Sequence, residues 1–177
     1  MNIVILDDYQ DAVRKLRCAE KLEPYPAKVF TNTVKGVGQL SIRLRDADVL
    51  VLIRERTVIT RQLVEKLPRL KLIAQTGRVG AHVDVAACTE RGIALIFDEV
   101  FVGFRLARGG AQAYYGVQAD FVTYGKTLGG GLPVGVVCGR AAWMQRFRPE
   151  RPADICFARG TFNAHPYVMG AMNAFLR

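Results

Sequence analysis

The fold is decided by a stretch in the middle of the chain that reads Ile93-Ala94-Leu95-Ile96-Phe97-Asp98-Glu99-Val100. An apolar run that ends in two acids is typical of a strand that is covered on both faces and stops at a polar sheet edge. Short runs rich in Val, Ile and Leu lie on either side of it, at residues 3–6, 28–30, 49–53, 70–74, 121–124, 134–138 and 155–157. The sequence therefore predicts a sheet of buried strands.

Helical patterns lie between several of these runs. Two of them form apolar stripes at helical spacing, one with Val37, Leu40 and Leu44 and the other with Leu63, Val64 and Leu67. This alternation of strand and helix favours right-handed βαβ units and a doubly wound, mostly parallel α/β sheet. Chemistry is then expected beyond the carboxyl ends of the strands. Strand ends are polar in any protein of this class, so position alone does not prove a site.

Composition narrows the choice of partners. The 177 residues, half of them apolar, are enough for one compact unit or two small ones. The net charge of +9 is spread without a basic arm and is interpreted as a solvated surface, with attraction to phosphate-bearing cofactors or nucleic acid as the alternative. No basic motif is interleaved with aromatic residues, so we expect no nucleic-acid partner.

Cysteine spacing and hydropathy bear on metal binding and on the compartment in which the protein is expected. The four cysteines lie far apart and only two histidines accompany them, so no metal site is predicted. The chain begins with a strand-like run in place of a leader and has no segment of membrane-spanning length. We expect a cytoplasmic protein with free thiols and no membrane partner.

Residues 1–93 resemble the start of the D-2-hydroxyacid dehydrogenases, in the phosphoglycerate-dehydrogenase-like branch. The resemblance rests on IVILDDYQD at residues 3–11, LIRERT at 52–57, QTGRVG at 75–80 and HVDVAAC at 82–88. It implies a flavodoxin-like substrate domain in which backbone amides of Arg78, Val79 and Gly80 hold the substrate carboxylate. Glycines let a backbone approach an anion in this way. A plain strand-to-helix turn is the alternative.

The chemistry of that family is missing from the residues that follow. No G-x-G-x-x-G turn for a dinucleotide, no substrate-binding Arg and no Glu–His pair for proton transfer come after residue 93. NAD binding and hydride transfer are therefore not expected.

From roughly Thr89 onward the chain resembles another family, the class-III aminotransferases that use pyridoxal phosphate (PLP), in a pattern like that of the glutamate-1-semialdehyde aminomutases. ALIFDEV at residues 94–100, GFR at 103–105 and YGV at 115–117 carry the first part of the match. DFVTYGKTLGGGLPVG at residues 120–135 carries the second. The resemblance implies part of the large domain of PLP fold type I, a homodimer, and small amino or keto acids as substrates.

The chemistry of PLP explains two residue types in this match. The cofactor accepts electrons while its ring nitrogen stays protonated, which a carboxylate at a strand end secures, and Asp98 stands there. Its aldehyde needs a lysine that is partly neutral, which burial and nearby positive charge favour. Lys126, the only lysine after residue 97, is therefore predicted to be the catalytic Schiff-base lysine. It is not part of a P-loop, since Asp120 stands where that motif needs glycine.

Further roles follow only from the resemblance. It implies that Val100 packs on the ring face and that Gly160 and Thr161 contact the cofactor phosphate of a neighbouring subunit. We expect one continuous sheet with domains at residues 1–93 and 94–177. The predicted function is a PLP-dependent aminotransferase or aminomutase fragment, impaired because residues 1–93 replace part of its cofactor cup. A non-catalytic fusion or engineered α/β fold, or a dehydrogenase relative without the NAD domain, are the alternatives, and whether the chain is an active enzyme stays open.

Overall fold

The computed structural model describes residues 1–77, 80–144 and 163–177. These residues form an α/β fold around one sheet of seven strands, in the order β2-β1-β3-β4-β5-β6-β7. The strands are β1 (Ile3–Leu6), β2 (Ala27–Val29), β3 (Val49–Ile53), β4 (Leu72–Thr76), β5 (Ala94–Asp98), β6 (Phe121–Gly125) and β7 (Gly135–Gly139). Every described strand pair is parallel except β6 with β7. The predicted doubly wound, mostly parallel sheet is confirmed.

The helices of the described residues lie between strands, except for the last two, which follow β7. They are α1 (Val37–Leu44), α2 (Arg61–Glu65), α3 (Val85–Glu90), α4 (Gly110–Tyr115), α5 (Ala141–Met144) and α6 (Pro166–Leu176). Among the described residues, 3₁₀ segments occupy Val13–Lys15, Arg17–Leu22 and Lys126–Gly129. Both predicted apolar stripes face the core, since Leu40, Leu44, Leu63, Val64 and Leu67 are all buried.

Helices α2 and α3 each start with a side-chain cap. The Thr60 hydroxyl accepts the Leu63 N–H at 3.3 Å at the start of α2, and the Asp84 carboxylate accepts the Ala87 N–H at 2.8 Å at the start of α3. The cap of α3 satisfies a backbone donor that its helix leaves without a partner, whereas the Leu63 N–H also donates to the Thr60 carbonyl at 3.0 Å. None of the helices in the described part of the chain is long and apolar enough to cross a membrane.

The sheet continues without a break between the two halves of the sequence. Strand β5 pairs with β4 through four residue pairs, from Leu72 with Ala94 to Gln75 with Phe97. One hydrophobic core includes Ile73 of the first half and Leu95, Phe97 and Val122 of the second. The strands before and after residue 93 therefore share this core.

The turn between α3 and β5 buries residues from the end of the first half in the hydrophobic core. Gly92 adopts φ +65°, which a glycine tolerates and which turns the chain out of α3. The Ile93 N–H then donates to the Cys88 carbonyl at 2.9 Å. Burial, and then the Asp84 carboxylate, raise the pKa of the Cys88 thiol to about 11. Cys88 thus packs as a small apolar side chain in this turn.

Candidate functional site

Asp98 ends β5 at the carboxyl edge of the sheet and is held there through one carboxylate oxygen. Its Oδ1 accepts the Val100 N–H at 3.0 Å and the Thr123 hydroxyl at 2.9 Å. Thr123 is its register partner on β6. None of the described residues donates to the other oxygen, Oδ2. The half-buried carboxylate is therefore oriented by two bonds and has one oxygen left to accept a ligand N–H.

Lys126 follows β6 directly, so it lies at the same sheet edge as Asp98, one strand away. Its backbone has φ +45°, a left-handed conformation that is uncommon for a residue with a side chain. Its Nζ lies 5.7 Å from the centroid of the Phe101 ring. The side chain is exposed, which differs from the burial that the sequence argument favoured. Lys126 begins a turn beyond the last paired residue of its strand, where the sheet no longer covers it.

Glycines on both sides of the site let the segment after Asp98 pack closely on β6. A Cβ at Gly103 would lie 2.6 Å from the Glu99 carbonyl oxygen and 2.7 Å from a Tyr124 ring carbon. A Cβ at Gly125 would lie 3.2 Å from a methyl carbon of Val100. Val100 therefore sits against the residue that precedes Lys126. Its predicted contact with a cofactor ring remains a prediction.

Hydroxyl and aromatic groups extend this contact. The Thr127 hydroxyl donates to the Gly103 carbonyl at 3.2 Å. The Tyr124 hydroxyl accepts a weak bond from the Gln112 amide at 3.4 Å, and its ring lies 5.0 Å from that of Phe104. Burial, and then the charge of Glu99, raise the pKa of Tyr124, while the Gln112 bond opposes this. The phenol is thus held neutral beside the site.

Thr123 and Glu99 are the residues that the sequence reasoning missed. Thr123 is a hydroxyl residue within the apolar run at residues 121–124, and that mismatch was the available signal. Glu99 is 1% exposed, and an acid directly after a strand-ending acid gives no hint that it is buried. Gly160 and Thr161, which the resemblance places at the cofactor phosphate, lie outside the described residues.

The glycine-rich turn of the first half lies after β4, the neighbour of β5. Arg78 and Val79 lie outside the described residues, whereas Gly77 adopts φ +87° and Gly80 faces His82. A Cβ at Gly80 would lie 3.5 Å from the Nδ1 of His82. Carboxylate binding by Arg78, Val79 and Gly80 stays a prediction.

His82 supports this turn from within the core. Its Nε2 lies 3.0 Å from the Gln75 Oε1. Because the Gln75 amide nitrogen donates to the carbonyls of Arg54 and Thr76, the Gln75 oxygen is the acceptor and His82 Nε2 carries the proton. His82 is 8% exposed, and its Nδ1 has no hydrogen-bond partner among the described residues. Burial lowers the pKa of His82, with the carboxylate of Glu55 acting in the opposite direction.

This buried histidine makes the fold sensitive to acid. In the unfolded chain His82 takes up a proton near its ordinary pKa of about 6.5, whereas the folded chain takes it up only at lower pH. Its contribution to stability is therefore complete above about pH 6.5 and is lost as the pH falls below that value. Urea unfolding at about pH 7.5 and about pH 5 should show a larger loss of stability for the wild type than for His82→Gln. The matched control is His165→Gln, which should keep the wild-type difference; equal losses in wild type and His82→Gln would contradict the assignment.

Comparison with known families gives two matches along the chain. A family model described as "D-isomer specific 2-hydroxyacid dehydrogenase, catalytic domain" matches residues 4–96. A second, described as "Aminotransferase class-III", matches residues 83–177.

Two curated relatives each match about half of the chain. Glutamate-1-semialdehyde 2,1-aminomutase of Methanococcus vannielii is 53% identical over 82 residues, which are 46% of this chain and 18% of that protein. The enzyme of the same name from Flavobacterium johnsoniae is 50% identical over 90 residues, 51% of this chain and 20% of the relative. The chain thus matches about a fifth of the length of these relatives.

Solved structures resemble both halves. A putative D-3-phosphoglycerate dehydrogenase oxidoreductase from Ralstonia solanacearum superposes with a TM-score of 0.51 and 57% identity, covering 53% of this chain and 29% of its own. An omega-transaminase from Sphaerobacter thermophilus superposes with a TM-score of 0.54 and 34% identity, over 66% of this chain and 29% of the transaminase chain. A β-phenylalanine aminotransferase from Variovorax paradoxus superposes with a TM-score of 0.57 and 23% identity, over 98% of this chain and 38% of the aminotransferase chain. That last likeness is to the fold alone.

Proposed function

The chain belongs to the D-isomer specific 2-hydroxyacid dehydrogenases over its first half and to the class-III aminotransferases over its second half, and from this we propose that it binds PLP at the carboxyl ends of β5 and β6. The observation that carries the proposal is the pair formed by Asp98 and Lys126. One is fixed by two hydrogen bonds with an oxygen to spare, and the other is an amine one strand away at the same sheet edge.

The donor set fits PLP at two of its attachment points. Asp98 Oδ2 can accept the N–H of the ring nitrogen, while Thr123 and the Val100 N–H keep the carboxylate in position. The Lys126 amine has no acid within ion-pair distance among the described residues, so no ion pair has to be broken before it reacts with an aldehyde. Val100, lying against Gly125, would cover one face of the ring.

Each of these residues has a defined task in amino-group chemistry. Bound PLP would supply the electron sink for bonds at the amino-bearing carbon of the substrate. Asp98 keeps the proton on the ring nitrogen, because an ionised carboxylate beside that atom favours its charged form. Lys126 Nζ would hold the cofactor aldehyde and would serve as the base that moves a proton at the substrate carbon.

We also propose the substrates, the assembly and the compartment that belong with this site. The substrates are small amino or keto acids, the protein is a homodimer, and Gly160 and Thr161 of one subunit contact the cofactor phosphate bound to the other. The exposed thiols of Cys18 and Cys138 suit a reducing, cytoplasmic compartment. The boundary between the two parts is placed between residues 93 and 94.

The first half contributes strands to the sheet, and NAD chemistry is not part of the proposal. In the class-III aminotransferases, the phosphate-gripping turn and the aromatic residue that stacks on the ring precede the strand of Asp98. In this chain dehydrogenase-like residues precede that strand. We therefore expect weak PLP binding and slow turnover. A non-catalytic fusion, the alternative, predicts no specific binding.

Covalent labelling tests the proposal. The protein is incubated with PLP, reduced with borohydride and mapped by peptide mass spectrometry, with visible absorption followed before reduction. The expected result is a saturable visible band and a label on the peptide that contains Lys126. Labelling spread evenly over the exposed lysines, such as Lys66 and Lys71, would contradict it.

A further inference from the structure

Glu99 is a buried carboxylate that ties the start of α4 to the end of β5. Its side chain is 1% exposed. Its Oε2 accepts the Ala111 N–H at 2.7 Å and its Oε1 accepts the Gln112 N–H at 3.0 Å. Hydrogen bonds to an ionised acceptor are stronger than those between neutral groups. Glu99 therefore closes a loop between residues 99 and 111 with two strong bonds.

Two glycines are shaped around this carboxylate. Gly110 adopts φ +78°, and a Cβ there would lie 2.2 Å from Glu99 Oε2. Gly103 donates its N–H to the Glu99 carbonyl at 2.8 Å, and its own Cβ position is filled by that oxygen and by Tyr124. Neither position accepts a larger side chain without moving Glu99. The closed loop is thus held from both of its ends.

The residues inside this loop are those that surround Lys126. Phe101 lies 5.7 Å from the Lys126 amine, Val100 contacts Gly125, and the Gly103 carbonyl accepts the Thr127 hydroxyl. The Glu99 N–H also donates to the Thr123 carbonyl at 2.9 Å, on the residue whose hydroxyl holds Asp98. A shift of Glu99 would therefore move the surroundings of both proposed cofactor contacts.

We propose that Glu99 is a positioning residue of the PLP site, which fixes the loop from Val100 to Gly110 against Asp98 and Lys126. The inference rests on the proposed function, because it concerns the same site. Glu99 touches no reacting atom. It acts through Val100, Phe101 and Gly103, whose places depend on where the carboxylate holds the start of α4.

The chain offers a matched control in Asp120. This carboxylate is 9% exposed and also joins β5 to a neighbouring element, since its Oδ2 accepts the Leu95 N–H at 2.8 Å. Its Oδ1 pairs with Arg140 at 2.7 Å. It lies at the opposite end of β5 and β6 from Lys126. Asp120→Asn and Glu99→Gln each leave one oxygen to accept a backbone N–H and remove one carboxylate oxygen.

The test compares PLP affinity, from the visible band, and the pH midpoint of that band in the wild type and three variants. Glu99→Gln is expected to weaken PLP binding by roughly tenfold, about the value of one hydrogen bond to a charged group, and to shift the midpoint. Gly110→Ala keeps the carboxylate but displaces it, so it should do the same. Asp120→Asn should leave both quantities within about twofold of the wild type.

Hydrogen exchange reports on the loop itself. In Glu99→Gln the amides of Ala111 and Gln112 should lose protection, while those of β3 and β4 keep it. Gly110→Ala serves as the second variant should Glu99→Gln fail to fold. Equal affinity losses in Glu99→Gln and Asp120→Asn, or unchanged affinity in Glu99→Gln, would overturn the inference and leave the proposed function intact. A wild type without a band would overturn both.

Discussion

Replacing Lys126 by alanine is expected to abolish the visible band of the protein in PLP and to remove the borohydride-stable label. The amine is the only lysine nitrogen after residue 97, and it follows the strand that pairs with the strand of Asp98. Without it, no amine remains in that turn to react with the aldehyde. The expected loss of site-specific label is therefore complete and exceeds that of any other substitution at this edge.

The control for this prediction is Lys71→Ala. Lys71 is exposed, and it lies one residue before β4, at the opposite end of the sheet from the site. This variant should bind and be labelled like the wild type. A Lys126→Ala protein that keeps its band would show that another amine captures PLP, and the assignment of the site would then be wrong.

The site at the carboxyl ends of β5 and β6 could be predicted because the sequence patterns that mark it are local. A strand that ends in an acid, and another that ends in Gly-Lys after an apolar run, each announce where a polar residue leaves the sheet. Parallel pairing then brings Asp98 and Lys126 to one edge whatever the details of packing. The continuous sheet across residue 93 was predictable for the same reason, because Gly92 and the run after it suit a helix end followed by a strand.

The surroundings of the site could not be predicted, because they depend on contacts between distant residues. The bond from Thr123 to Asp98 spans 25 positions, and the bonds from the start of α4 to Glu99 span 12 and 13. Spacing in sequence does not indicate which of two adjacent acids is buried. The exposure of Lys126 was missed for the same reason, since burial of a turn is decided by what packs over it.

Strand β7 is the clearest difference between pattern and structure. The apolar run at residues 134–138 is typical of a strand covered on both faces, yet Val137 is 56% exposed. In the described part of the chain β7 pairs only with β6 and lies at the end of the sheet order. A run of apolar residues indicates a strand but does not say whether the strand lies in the middle or at the edge of its sheet.

Strands from two families can pair across residue 93 because parallel pairing places few requirements on the side chains of neighbouring strands. Strand β4 offers β5 a row of backbone donors and acceptors, with small or apolar side chains such as Ile73 and Ala74 in register with Leu95 and Ile96. Nearly the whole chain superposes on the fold of a solved aminotransferase, at 23% identity. Hydrogen bonding and burial suffice to join strands in this way, whereas a cofactor cup needs specific side chains.

Phe97→Ala is expected to lower the free energy of unfolding by about 3–5 kcal/mol, the usual cost of removing a buried aromatic ring. Phe97 is 1% exposed. It is in register with Gln75 of the first half on one side and with Val122 of the second half on the other. The loss is a large share of the ~5–15 kcal/mol that stabilises a domain.

The manner of unfolding carries more information than the size of the change. Because Phe97 belongs to the core that joins both halves, the variant should still unfold in one transition, with circular dichroism and exchange of β1 and β6 amides giving the same midpoint. Phe101→Ala, at a ring that is 63% exposed, should change stability by less than about 1 kcal/mol. Two separate transitions in wild type or Phe97→Ala would contradict a shared core, because the dehydrogenase-like strands would then fold without the strands that carry Asp98 and Lys126.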